Sequence, residues 1–87
     1  MYYFEYDDKK SEINKRKHGL DFIEAQELWK DPDIIQIKAN SDTESRYLVI
    51  GNIGNKIWSA VITYRGEKIR IISVRRARNS EVTIYES

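Results

Sequence analysis

Arg46-Tyr47-Leu48-Val49-Ile50-Gly51-Asn52-Ile53-Gly54-Asn55-Lys56-Ile57-Trp58-Ser59-Ala60-Val61-Ile62-Thr63-Tyr64-Arg65-Gly66-Glu67-Lys68-Ile69-Arg70-Ile71-Ile72-Ser73-Val74-Arg75 is the stretch that decides the fold. Its apolar residues recur with a period near two, the spacing of a strand with two different faces. Two short breaks interrupt the pattern. Gly54-Asn55 suits a two-residue hairpin turn with positive φ at both central positions, and Gly66-Glu67 places glycine first, as a type II′ turn requires. Three antiparallel strands are therefore expected: 46–53, 56–65 and 68–75.

Two-residue turns fix the pairing, so side chains can be assigned to faces. The first turn sets Ile53 against Lys56, and hence Gly51 against Trp58, Val49 against Ala60 and Tyr47 against Ile62. The second sets Arg65 against Lys68, Tyr64 against Ile69 and Ile62 against Ile71. One face then collects Tyr47, Val49, Gly51, Trp58, Ala60, Ile62, Tyr64, Ile69 and Ile71, a credible core in which Gly51 leaves room for the Trp58 indole. The other face collects Arg46, Leu48, Ile50, Ser59, Val61, Thr63, Arg65, Lys68, Arg70, Ile72, Val74 and Arg76. Arg46, Thr63 and Arg70 would share one row, where like charges cost stability unless an anion sits between them. An apolar middle with a basic margin suits a surface that a partner covers for part of its life. Alternatively, a C-terminal helix covers Leu48, Val61, Ile72 and Val74 and leaves the arginines solvated. A one-residue bulge would reverse the assignment from that point on.

Upstream, Tyr2-Tyr3-Phe4-Glu5-Tyr6 reads as a first strand. Asp7 or Asp8 caps a helix that runs to His18 and stops at Gly19. Ile13 is nearly the only aliphatic anchor of that helix, which must otherwise lean on its lysine stems. Asp21 and Glu24 have capping-box spacing and open a second helix carrying Phe22, Ala25, Leu28 and Trp29, ended by Asp31-Pro32. Ile34 to Lys38 is another strand, followed by a polar loop from Asn40 to Ser45. The tail from Arg76 to Ser87 reads as a short helix, with Ala77, Glu81 and Tyr85 spaced four apart. The order is β-α-α-β-β-β-β-α: an α+β fold with helices on one face of a mostly antiparallel sheet, in a single domain spanning 1–87.

Composition narrows the chemistry. The 87 residues include no cysteine and one histidine, His18, which excludes thiolate metal sites, a thiol nucleophile and an imidazole cluster. Aliphatic runs of two or three residues are too short for a membrane span or a signal-peptide core, so a soluble cytoplasmic protein is expected. The net charge of +1 hides an asymmetry: residues 1–45 carry seven Lys/Arg against eleven Asp/Glu, and residues 46–87 carry eight against three. Six of the seven arginines lie in the second half, and arginine pairs with phosphate in bidentate fashion.

No phosphate-cradling glycine loop and no Ser/His/Asp elbow is present. Carboxylates fall mostly at cap positions, so no metal or cofactor is expected. Arg, Lys, His, Tyr and Glu remain, and they suit RNA scission by the neighbouring 2′-hydroxyl, in which the substrate supplies its own nucleophile. His18, closing a helix in Lys17-His18-Gly19, either favours the helix dipole or serves as acid or base. Tyr85 is likewise either a packing anchor or a group that serves as acid or base.

Asn14-Lys15-Arg16-Lys17-His18-Gly19, then Asp21-Phe22 with Ala25, then Asp31-Pro32, resembles the front half of the BrnT toxins. Arg70-Ile71-Ile72-Ser73-Val74-Arg75-Arg76-Ala77-Arg78, followed by Glu81 and Tyr85, resembles the back half more specifically. The likeness runs from about Phe4 to Tyr85. It implies a RelE-like fold and a metal-independent endoribonuclease that inhibits translation. It also implies a BrnA-like DNA-binding antitoxin that covers the toxin in a hetero-oligomer, so that DNA is met only through the antitoxin. On that basis Arg75, Arg76, Arg78 and Tyr85 are the main catalytic candidates, with Arg65 and His18 behind them. Arg46, Arg65, Lys68, Arg70 and Arg76 are the candidates for gripping RNA. The competing expectation is a non-catalytic module that binds a partner or RNA.

Overall fold

In the computed structural model, which describes residues 1–40 and 43–87, the elements follow the expected order. They are β1 (Tyr3–Glu5), α1 (Asp8–His18), a 3₁₀ helix (Glu24–Lys30), β2 (Ile35–Ala39), β3 (Arg46–Ile53), β4 (Lys56–Arg65), β5 (Lys68–Arg76) and α2 (Asn79–Glu86). The sheet runs β1-β5-β4-β3-β2, with β1 parallel to β5 and every other pair antiparallel. The expected loop from Asn40 to Ser45 includes Ser41 and Asp42, which lie outside the described residues.

Both hairpins form as the turn chemistry requires. Gly54 and Asn55 take φ of +56° and +68°, and at the second turn Gly66 takes +62°. Register in β3–β4 follows, pairing Gly51 with Trp58 and Val49 with Ala60. Space at Gly51, however, is needed for a different neighbour. A β-carbon there would stand 3.0 Å from Leu28 Cδ2 and 3.4 Å from Asp31 Oδ2, so the residue admits the 3₁₀ helix rather than the indole.

The helix after Asp21 is 3₁₀ rather than α. Asp21 caps it as expected: its Oδ1 accepts from the N–H groups of Ile23 and Glu24, and Glu24 Oε1 accepts from the Asp21 N–H. The buried residues Phe22, Ala25 and Leu28 are spaced by three, so a helix with three residues per turn stacks them on one side. Ile23 is left exposed as a consequence. With Leu20, Val49, Trp58, Ala60, Ile62, Ile69, Ile71 and Val74 these residues form the core, on the face that also carries α1.

Helix α1 docks by polar groups instead of the expected aliphatic anchor. Ile13 is 47% exposed, whereas Ser11 and Asn14 are buried. Ser11 Oγ accepts from the Phe22 N–H. Asn14 Nδ2 donates to the carbonyls of Leu20 and Val74, both at 2.8 Å, and its Oδ1 accepts from the Val74 N–H at 3.2 Å. Strand β1 pairs only with Lys68–Arg70, so the outer edge of β5 is open beyond Arg70. The Asn14 carboxamide takes the missing strand's part there, and without it two buried backbone groups would each lose about 1–3 kcal/mol.

One irregularity controls where the arginines point. In the β4–β5 pair Val61 faces Ser73 while Ile62 faces Ile71, leaving Ile72 as the extra residue of a β-bulge. Beyond it every side chain of β5 changes face relative to a regular ladder. Val74 turns into the core opposite Ala60, Arg75 comes opposite Ser59, and Arg76 comes opposite Trp58. The expected placement of Val74 and Arg76 on the second face is therefore corrected.

Candidate functional site

The bulge delivers Arg75 to the second face, where α2 supplies its partner. Arg75 Nη1 and Nη2 donate to Glu81 Oε1 and Oε2 at 2.7 and 2.8 Å, a bidentate clamp. Glu81 Oε1 also accepts from Ser59 Oγ at 2.9 Å and from the Arg78 N–H at 2.9 Å. The Glu81 carboxyl is thereby held down to about 2, chiefly by the Arg75 hydrogen bonds, against an opposing effect of burial. The same pairing raises Arg75 above its ordinary value. Arg75 is thus committed to an internal contact.

Its neighbours are not. Arg76 lies exposed with its guanidinium carbon 5.6 Å from the centre of the Trp58 ring, a cation–π contact. Arg78 is exposed where β5 passes into α2. Among the described residues neither has a carboxylate within 4.0 Å. Further along α2, the Tyr85 hydroxyl donates to Asp31 Oδ2 at 2.5 Å, and the same oxygen accepts from the Asn52 N–H at 2.8 Å. The hydrogen bond to Asp31 pushes the Tyr85 phenol up to about 12, so it stays protonated at neutral pH. Burial works against the Asp31 carboxylate, but the Tyr85 and backbone donors outweigh it and lower its value.

The other cations gather at the opposite end of the sheet. Arg70 Nη1 donates to Glu5 Oε2 at 2.8 Å, and Arg65 stands 4.0 Å from the same oxygen. Glu5, delivered by β1, is the anion that the Arg46–Thr63–Arg70 row needed. Thr63 Oγ1 donates to the Ser45 carbonyl at 2.7 Å, and Arg46 stands 3.8 Å from Glu44. Lys68 lies beside Arg65 across the turn.

The candidate residues consequently form two groups. Arg75, Arg76, Arg78 and Tyr85 surround the junction of β5 and α2, whereas Arg65, Lys68 and Arg70 flank the second hairpin. The Trp58–Arg76 and Arg65–Lys68 pairs sit at opposite ends of β4, about 23 Å apart at the rise of an extended strand. Guanidinium groups of the C-terminal half do not converge on one point. His18 ends α1, exposed, on the face opposite Arg75. Glu81, Ser59 and Asp31, which organise the first group, are not recognisable from composition. The one signal is Glu81 itself, at the third helical position of α2, where a glutamate reaches back to the cap N–H.

Among the described residues no three His, Asp or Glu side chains stand close enough to hold a metal ion. No described helix is long and apolar enough to cross a membrane.

This arrangement, a small α+β domain with arginines displayed at a strand–helix junction, fits a protein that handles phosphodiesters. The family model for the ribonuclease toxin BrnT of type II toxin–antitoxin systems matches residues 6–81, and the chain belongs to that family. It is a ribonuclease toxin, with an RNA substrate and an antitoxin partner. No curated protein matches the chain.

Proposed function

We propose that the chain, acting as a single catalytic domain, is a metal-independent endoribonuclease whose reacting phosphate lies at the β5–α2 junction. What supports this reading is one contrast: Arg75 is clamped to Glu81, whereas Arg76 and Arg78 are exposed and, among the described residues, have no carboxylate within 4.0 Å. The 2′-oxygen of the substrate attacks the adjacent phosphorus and the bond to the 5′-oxygen breaks. The products are a 2′,3′-cyclic phosphate and a 5′-hydroxyl. Arg76 and Arg78 neutralise the charge that builds on the phosphorane oxygens. Arg75 holds α2 against the sheet, and Tyr85, anchored on Asp31, keeps the end of α2 in place. His18, exposed at the end of α1, is the side chain offered for the proton exchange between the 2′-hydroxyl and the departing 5′-oxygen.

Arg46, Arg65, Lys68 and Arg70 carry the flanking RNA as phosphate contacts. The half-buried aliphatic middle of the second face, Leu48, Val61 and Ile72, receives a BrnA-like antitoxin. That antitoxin binds DNA, and the toxin meets DNA only through it, in a hetero-oligomer. Cleavage of messenger RNA in the cytoplasm would inhibit translation.

The test is cleavage of a defined RNA in excess EDTA with analysis of the new ends. The expected products carry cyclic phosphate and 5′-hydroxyl termini. A requirement for Mg²⁺, or 5′-phosphate ends, would contradict the mechanism.

A further inference from the structure

The helix-covered face is incompletely covered. It holds a cavity of about 160 Å³ lined by Tyr2, Trp29, Ile34, Gln36, Val49 and Tyr64. Aromatic rings crowd this end of the sheet. Tyr47 and Tyr64 meet edge-on at 5.3 Å, Phe4 and Trp29 edge-on at 5.0 Å, and Tyr2 lies 6.3 Å from Phe4. Two of them are turned to solvent, Tyr64 at 44% and Tyr2 at 58% exposure, where core tyrosines would be covered. The Tyr64 hydroxyl donates to Gln36 Oε1 at 2.5 Å. That bond fixes the ring plane and directs the two remaining Gln36 amide donors away from the phenol.

Planar faces beside an amide edge match the recognition needs of a nucleobase, which stacks through its ring and hydrogen-bonds through its rim. The surrounding charge selects an anionic ligand. Lys38 stands opposite Tyr47, and over the rim of the sheet a second concavity is lined by Tyr3, Arg65, Glu67 and Lys68. Glu67 also lines it, and Glu5 stands 4.0 Å from Arg65. Among the described residues Lys38 and Lys68 have no acidic group within 4.0 Å. Tyr2 and Tyr3 are consecutive and Tyr3 pairs with Lys68, so the cavity and the basic rim adjoin.

We infer that this cavity is a base-stacking subsite for single-stranded RNA, holding one unpaired nucleobase against Tyr64 and Tyr2 while Lys68 and Arg65 meet the adjoining phosphate. The inference rests on RNA being the substrate. It adds a recognition site about a strand's length from the β5–α2 junction, so that several nucleotides of extended substrate would separate the stacked base from the reacting phosphate.

The test measures binding and cleavage separately. Binding of the full chain to a single-stranded RNA with 2′-O-methyl riboses, which removes the nucleophile, is compared for wild type, Tyr64→Ser and Tyr64→Phe. Tyr64 is 44% exposed and lies outside the buried core cluster, so neither change removes a core side chain. Tyr64→Ser is expected to weaken binding roughly fivefold to hundredfold, the range of one base–aromatic stack, and Tyr64→Phe to retain it. An abasic residue in the RNA should abolish the difference between wild type and Tyr64→Ser. With unmodified RNA, Tyr64→Ser should raise KM and leave kcat unchanged. Equal affinity of wild type and Tyr64→Ser overturns the subsite, even if the wild type cleaves normally. The same result with a weakened antitoxin complex also overturns it and assigns the cavity to a protein side chain. Binding that depends on Tyr64 without cleavage by the wild type supports the subsite and contradicts the ribonuclease mechanism instead.

Discussion

On the face that carries α1 and the 3₁₀ helix, Phe22, Leu28, Ile62 and Ile71 are removed almost wholly from water. On the opposite face, α2 buries a single side chain of its own, and it is a glutamate. The 3₁₀ helix is held there by apolar area, which carries no titratable group, with α1 joined to it through the uncharged Ser11 and Asn14 contacts. Helix α2 draws on a bidentate ion pair and two hydroxyl contacts, Ser59 with Glu81 and Tyr85 with Asp31. The difference teaches that stability and the shape of the reactive end can be altered independently. A change beneath the 3₁₀ helix should destabilise the whole molecule, whereas a change in the clamp should release α2 and misplace Arg78 while the sheet, with Arg76 at the end of β5, survives.

The largest effect is expected at Leu28. Leu28→Ala opens a cavity beneath the sheet and should cost about 2–5 kcal/mol in denaturant unfolding, with no pH dependence of its own. Asn14 tests the polar seam on the same face. Asn14→Leu should cost about 2–4 kcal/mol, because the N–H and carbonyl of Val74 lose their partner in a buried setting. A cost under half a kcal/mol would show that the open edge of β5 does not need the carboxamide.

The clamp should answer to acid. The folded pKa of Glu81, about 2, lies below its ordinary 4.5, so its contribution is complete above 4.5 and is lost as pH falls from there through about 2. The contribution at neutral pH is about 3 kcal/mol, and Glu81→Gln should remove most of it together with this acid limb. Unfolding measured at intervals below pH 5 checks both, and an unchanged limb in Glu81→Gln would break the comparison. The smallest effect belongs to Tyr85. Its pKa is raised to about 12, so its contribution is complete below the ordinary 10.0 and lost as pH rises through about 12. Tyr85→Phe should cost about 0.5–1.5 kcal/mol and eliminate one late phenolate step in a spectrophotometric titration.

Much of this comparison was legible in the chain. Gly54-Asn55 and Gly66-Glu67 specified two hairpins and their register because short turns leave little geometric freedom. Asp21 with Glu24 marked the second helix, though the spacing of Phe22, Ala25 and Leu28 carried the 3₁₀ period that the helical template overlooked. The bulge was not legible. Ile71-Ile72-Ser73 contains no glycine or other local mark, and the Asn14 carboxamide that meets the Val74 backbone just beyond it is sixty residues away in the chain. That single inserted residue exchanged the faces of Arg75 and Arg76, turning one into a structural clamp and freeing the other. Asn14 on a lysine-rich helix reads as solvated, and Ile13 reads as an anchor, because a one-dimensional pattern cannot tell which polar group will meet an unpaired strand edge. The candidate site was readable as a set of residue types and unreadable as a geometry.

The exposed pair Arg76 and Arg78 is proposed to perform the phosphate chemistry, while Arg75 holds the helix. Single-turnover cleavage of RNA in EDTA by Arg76→Ala/Arg78→Ala tests it most directly, with thermal unfolding followed on the same sample. The expected result is a loss of at least about 10²-fold in the cleavage rate with an unchanged midpoint, as for removal of a charge-stabilising donor. Cleavage at the wild-type rate by that folded variant would contradict it.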